Sequence, residues 1–214
     1  GDSEWARDAD YSSHAMAADA SSVLSELGID SVTVLGHSMG GMNTLRLALQ
    51  EPDLLQRLVL VDIGPELSDA GTKSIRNFVT ENREFEDLEA FIQNVQKYDP
   101  YRSREHIERT VKYNLLQRAD GKFISKRDHG PRLATTQNQR ETSDRFSIED
   151  TVGISQPTLV IRGADSNVLT PEAAHRFVQA LPHGELQTVP DSGHNVHGQN
   201  TSGFLDAFLP FLLS

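Results

Sequence analysis

A serine hydroxyl becomes a nucleophile only when a base removes its proton and the backbone holds its oxygen clear of the chain. Ser38 has the surroundings for this. It lies in Gly36-His37-Ser38-Met39-Gly40-Gly41, after the apolar run Val32-Thr33-Val34-Leu35 and ahead of a helical pattern that includes Leu45, Leu47 and Leu49. A strand that turns sharply into a helix at a serine strains that residue and pushes its Oγ out of the sheet. The flanking segments then pass close together, so Gly36 and Gly40 are expected where a Cβ would clash. The N–H of Met39, at the start of the new helix, is expected to point where negative charge forms on an attacked carbonyl oxygen.

Histidine is the side chain whose ordinary pKa suits a base near neutrality. Of the eight histidines, His194 has the strongest case, in the short loop Asp191-Ser192-Gly193-His194 after the last apolar run and downstream of the serine. His197 is expected as a structural or pocket-wall neighbour and His37 as a packing residue. The pair His194-x-x-His197 lacks a third metal ligand, so neither a metal nor a cofactor is expected. A carboxylate must hold the imidazole in its productive tautomer. Asp62 ends the run Leu58-Val59-Leu60-Val61, which suits a strand buried on both faces, and the C-terminal edge of such strands is where open α/β sheets place ligands.

The Gly-His-Ser-Met-Gly-Gly segment resembles the nucleophile elbow of the α/β-hydrolase family, and the Asp62 strand and the Gly193-His194 loop agree with it. The resemblance implies a serine hydrolase of esterase type acting on a small carboxylic ester or lactone. Ser38 would be the nucleophile, His194 the general base and an acyl-enzyme the intermediate. The family usually carries its acid in the loop after the Gln156–Arg162 strand, as Gly-x-x-Asp. Counted from Gly163, that slot holds Ser166, flanked by Asp165 and Asn167. Two acids stay open. Asp62 is preferred, because Val61-Asp62-Ile63-Gly64-Pro65 resembles a subgroup of small esterases that take the acid from that strand end; Asp165 is the alternative. Two other functions stay open as well: hydrolysis of a carbon–carbon bond by the same serine, and a non-catalytic ligand receptor that kept the fold, which the departure at Ser166 would favour.

In this family about four strands precede the nucleophile strand, and a second oxyanion donor comes from a His-Gly loop after the third. Gly1-Asp2-Ser3 looks like the tail of the loop after strand four. The expectation is therefore the C-terminal three quarters or so of a hydrolase, poorly soluble and essentially inactive as given, with an intact smaller fold as the rival.

These side chains need a scaffold. Ser12 is expected to cap a helix over residues 11–27 striped by Met16, Val23, Leu24 and Leu27, with Gly28 as its stop. Residues 66–150 change character, with more charge and helical periodicity without strands (Leu88, Phe91, Ile92, Val95; Ile107, Val111, Leu115). They are expected to form a helical cap, with Phe78, Phe85, Phe91 and Tyr98 packing it or lining an acyl pocket, and Lys126-Arg127-Asp128 on a solvated face. Strand and helix patterns then alternate again. The fold class expected is α/β, a mainly parallel doubly wound sheet of α/β-hydrolase type. Its core would span residues 1–65 and 151–214, with the cap at 66–150.

The 214 residues suffice for one core with an insertion. A net charge of -11 and a pI near 5.1 argue against nucleic acid and anionic membranes as partners. The expected partner is a small ester-like molecule. There is no cysteine, so thiol chemistry is excluded. No apolar run approaches the ~18 residues of a membrane span. No signal peptide stands at Gly1, which means little in a chain read as truncated; a cytoplasmic location is the expectation.

Overall fold

The structure, a computed structural model, describes residues 3–81, 84–128 and 146–214. The chain enters through helix α1 (Ser13–Glu26), strand β1 (Val32–His37), helix α2 (Met39–Gln50) and strand β2 (Leu55–Val61). Ser12 Oγ accepts the Ala15 N–H at 3.2 Å, and Gly28 follows the helix with φ +66°. These are the start and stop that the sequence predicts. The apolar stripe is not what α1 buries, however. Val23 and Leu27 are 57% and 67% exposed, and Ala17 is the residue sealed against the core. A small side chain lets the helix lie close on its neighbour α2, so the contact runs through Ala17 instead.

The cap span opens with helix α3 (Asp69–Glu81), strand β3 (Glu84–Phe85), and helices α4 (Leu88–Tyr98) and α5 (Arg104–Asn114). Asp87 and Ser103 cap α4 and α5, their side chains accepting the Ala90 and His106 N–H groups at 2.8 and 3.2 Å. The expectation of helices without strands is corrected. Strands β4 (Leu115–Gln117) and β5 (Phe123–Ser125) join β3 in an antiparallel sheet ordered β3-β5-β4. Asp120-Gly121, with φ +88° at the glycine, makes the turn between β4 and β5. Strands of two or three residues are too short for an alternating pattern to register, and Leu115, read as helical, starts β4. Ile92, Val95 and Ile107 form a cluster of their own, with Phe78, Leu88 and Phe91 packed against it. Residues 129–145 of the expected cap lie outside the described residues.

The chain returns as strand β6 (Thr158–Gly163), helix α6 (Pro171–Ala180), strand β7 (Gly184–Val189), the single turn α7 (Val196–Gln199) and helix α8 (Thr201–Leu213). Strands β1, β2, β6 and β7 pair in that order, all parallel. Leu58, Leu60 and Val160 pack into one cluster with Leu45 and Phe177. Val59, Val61, Leu159 and Ile161 pack into another with Phe204 and Phe211. Alternate residues of β2 and β6 thus enter different clusters, which accounts for their unbroken apolar runs. The parallel register also aligns the strand ends: His37 sits beside Val61, and Gly163 beside Val189. The residues that follow those ends, Ser38, Asp62 and the Asp191–His194 loop, therefore collect at one edge of the sheet. Among the described residues no helix is long and apolar enough to cross a membrane.

Candidate active site

Strand β1 ends at His37 and α2 begins at Met39, so Ser38 alone makes the turn. Its backbone has φ +53° and ψ -123°, a conformation that an L-residue adopts only when its surroundings impose it. The surroundings do. The Ser38 N–H donates to Val61 O at 3.1 Å, and its carbonyl accepts from Gly41 and Met42 at 2.9 and 3.2 Å. A Cβ on Gly36 would lie 2.6 Å from both Gly40 O and Gly41 Cα, as expected of that glycine. The expectation for Gly40 is corrected: a Cβ there would meet nothing within 4 Å, whereas one on Gly41 would lie 2.3 Å from Ile63 Cγ2. The first helical turn brings the third residue after the serine back over the strand, not the second. Met39 occupies the first helical position, where a backbone N–H has no carbonyl one turn back to bind.

His194 Nε2 lies 2.9 Å from Ser38 Oγ, and His194 Nδ1 lies 2.8 Å from Asp62 Oδ2. Asp62, with φ +50°, is fully buried where β2 leaves the sheet. Its Oδ1 accepts the Gly163 N–H at 3.3 Å, and its Oδ2 accepts the Ser166 hydroxyl. Ser166, standing where the family pattern expects an acid, therefore binds the carboxylate that faces the imidazole. The feature that favoured a receptor has a place in the hydrogen-bond network instead. The alternative acid, Asp165, is not brought to the ring: its carboxylate accepts from the Tyr101 hydroxyl at 3.3 Å. One residue along the loop reverses the direction of the side chain, and the acidic partner on His194 is Asp62.

The histidine loop is anchored from several sides. A Cβ on Gly163 would lie 2.1 Å from Gly193 O, so β6 and the loop can touch only because that position is glycine. Gly193 N–H donates to Gln199 Oε1, and Gln199 Nε2 donates to Asp99 Oδ1, both at 2.6 Å. Asp99 sits at the end of α4, so the cap holds the loop through one glutamine. Neither Gln199 nor Asp99 carries a local sequence signal, because they meet only once the cap is folded.

His37 does more than pack. Its Nε2–H donates to the His194 carbonyl at 2.8 Å, and its ring lies 4.8 Å from that of His194 and 5.0 Å from that of His197. Burial lowers its pKa to about 4, the hydrogen bond to His194 opposing in part. The sign of the consequence follows. Between the ordinary histidine value of about 6.5 and this one the unfolded chain takes up a proton that folded His37 refuses, so stability is full above about pH 6.5 and falls as pH drops toward 4. The slope from this one group is at most ~1.4 kcal/mol per pH unit. Urea unfolding of the wild type and His37→Gln between about pH 7 and 5 is expected to show a flatter dependence in the variant. Equal slopes would mean that His37 is not the group responsible.

A cavity of about 1310 Å³ opens over this edge, lined by His37, Met39 and His194 from the core. Phe78, Phe85, Phe91 and Tyr98 line it from the cap. These aromatics also pack on one another: Phe78 stacks on Tyr98 at 4.1 Å and Phe85 meets Phe91 edge-on at 5.1 Å. The run Lys126-Arg127-Asp128 is not simply a solvated face. It reaches the cavity, and Asp128 accepts from the Tyr11 hydroxyl at 2.9 Å.

Comparisons with known proteins agree with this fold. Residues 1–201 match the model of the alpha/beta hydrolase fold family. The chain is 31% identical to mouse (Mus musculus) sn-1-specific diacylglycerol lipase ABHD11, over 99% of this chain and 68% of that protein. It is 27% identical to esterase Rv0045c of Mycobacterium tuberculosis, over 96% and 69%. The chain thus spans about two thirds of the length of these relatives. Among solved structures, that of E-2-(acetamidomethylene)succinate hydrolase superposes with a TM-score of 0.84 at 20% identity, covering 97% of this chain and 76% of the other.

Proposed function

This chain belongs to the alpha/beta hydrolase fold family, with esterases and a lipase among its relatives, and on that premise we propose that it hydrolyses a small carboxylic ester through Ser38, His194 and Asp62. His194 Nε2 takes the Ser38 proton as Oγ bonds to the ester carbonyl carbon. The imidazolium so formed is held by the buried Asp62 carboxylate, and the Met39 N–H donates to the tetrahedral oxyanion. His194 then returns the proton to the departing alkoxide oxygen, leaving an acyl-Ser38. A water deprotonated by the same nitrogen attacks the acyl carbon, releases the acid and restores the serine.

The observation that carries this reading is the unbroken relay, 2.9 Å from Ser38 Oγ to His194 Nε2 and 2.8 Å from His194 Nδ1 to Asp62 Oδ2. Nothing in that geometry supports the inactivity expected from the sequence, since each group already reaches the next. A fluorophosphonate probe is expected to label the protein at Ser38, located by peptide mass spectrometry, and a short nitrophenyl ester to protect it. A folded protein that takes no probe, or takes it at another serine, would overturn the reading.

A further inference from the structure

The cavity lined by His37, Met39 and His194 has a cationic corner that the hydrolytic steps leave unused. Arg102, His106 and His197 all line it. Arg102 stands between α4 and α5, next to the Ser103 cap. Among the described residues its guanidinium makes one hydrogen bond, from Nη2 to Thr110 Oγ1 at 2.8 Å, and its buried Nε–H has no acceptor. Other arginines of the cap are treated differently. Arg104 is paired with Glu89 and Glu108, and Arg118 with Glu84 and Asp120. In a chain with 31 acidic and 20 basic residues, carboxylates for pairing are abundant.

The nearby acid does not meet this need. Asp99 is buried, and its oxygens take the side-chain amides of Gln199 at 2.6 Å and Asn195 at 3.5 Å. Its charge offsets part of the cost of burying Arg102, but no ion pair joins the two. His106 and His197 are held below the ordinary histidine range, first by burial and then by their cationic neighbours, Arg102 among them. The permanent positive charge in this corner is therefore that of the guanidinium. A buried, unpaired donor on a charged group is costly, and a planar oxyanion is the ligand that a guanidinium fork fits best.

We propose that Arg102 receives an anionic group of the substrate, a carboxylate carried on the acyl chain of the ester, so that the preferred substrates are half-esters of dicarboxylic acids. This rests on the ester-hydrolase reading above. Phe78, Phe91 and Val95, which line the same cavity, supply apolar surface for the methylenes between the scissile carbonyl and the carboxylate.

The test compares nitrophenyl hemiesters of succinic, glutaric and adipic acid with the same esters methylated at the free carboxyl. A second arm places the carboxylate on the leaving phenol. With the wild type, kcat/KM for at least one hemiester is expected to exceed that of its neutral counterpart by about 10-fold or more, chiefly through KM. Arg102→Gln is expected to bring the ratio near one, and Arg102→Lys, which keeps the charge but loses the fork, to recover part of it. A wild-type ratio near one, a preference confined to the leaving-group arm, or a preference that survives Arg102→Gln would overturn the proposal. Binding of monoethyl glutarate to Ser38→Ala protein, in which the ester is not cleaved, followed by calorimetry, reads the same site without turnover. Loss of that binding when Arg102→Gln is added, with recovery when Arg102→Lys is added instead, supports the anion site even if Ser38 proves unreactive in the wild type. Equal binding in all three, or none with Arg102 intact, overturns it.

Discussion

Replacing Ser38 with Ala is expected to lower kcat for a nitrophenyl ester by roughly 10⁶, with His194→Ala costing about as much and the double variant scarcely more. The non-additivity follows from the relay. With His194 gone, no base accepts the Ser38 proton, and with the hydroxyl gone the imidazole has no nucleophile to activate. Each single change therefore removes the same step. Residual hydrolysis would come from binding and from the Met39 N–H, which neither substitution touches. The folded state should survive Ser38→Ala. Alanine meets the same positive φ that serine already tolerates, and the backbone bonds to Val61, Gly41 and Met42 are kept. Turnover assays on purified variants, with urea midpoints as the folding control, check both statements. A loss of less than about tenfold in Ser38→Ala would place ester hydrolysis elsewhere on the molecule.

How much of this was legible in the sequence depends on the range of the interactions involved. Ser38 could be read because strand, glycine-flanked serine and helix follow one another within a few residues, and backbone sterics act over that range. Gly41 shows where such reading stops. The residue that must be bare is decided by Ile63, which arrives from beyond β2. The three-stranded sheet of the cap was hidden for a related reason: its strands owe their state to one another, not to their own patterns. The unburied stripe of α1 is the converse case, in which a clear helical period led to the wrong contact surface. The acid was the least legible part. Asp62 and Asp165 each end or follow a strand at the same sheet edge, and the choice between them depends on which way a side chain points.

The second large effect follows from that choice. Asp62→Asn is expected to lower kcat by about 10⁴, while Asp165→Asn changes it less than tenfold. The asymmetry arises in the proton inventory around His194. The Asp62 carboxylate only accepts hydrogen bonds, so it fixes the imidazole proton on Nδ1 and leaves Nε2 free to receive the Ser38 proton. Ser166 already donates its hydroxyl to the Oδ2 that faces the ring. An asparagine oxygen at that place would keep both bonds but lose the charge that stabilises the imidazolium. Its amide turned the other way would donate to Nδ1, put the ring proton on Nε2 and leave Ser38 without a base. Either orientation defeats the step. Asp165 has no such hold, because its carboxylate meets Tyr101 of the cap and an amide oxygen can accept that hydroxyl equally well. Steady-state assays of the two variants decide the matter. If Asp165→Asn abolished turnover and Asp62→Asn did not, the imidazole would have to swing away from β2 during the reaction, and the buried carboxylate would be a structural group only.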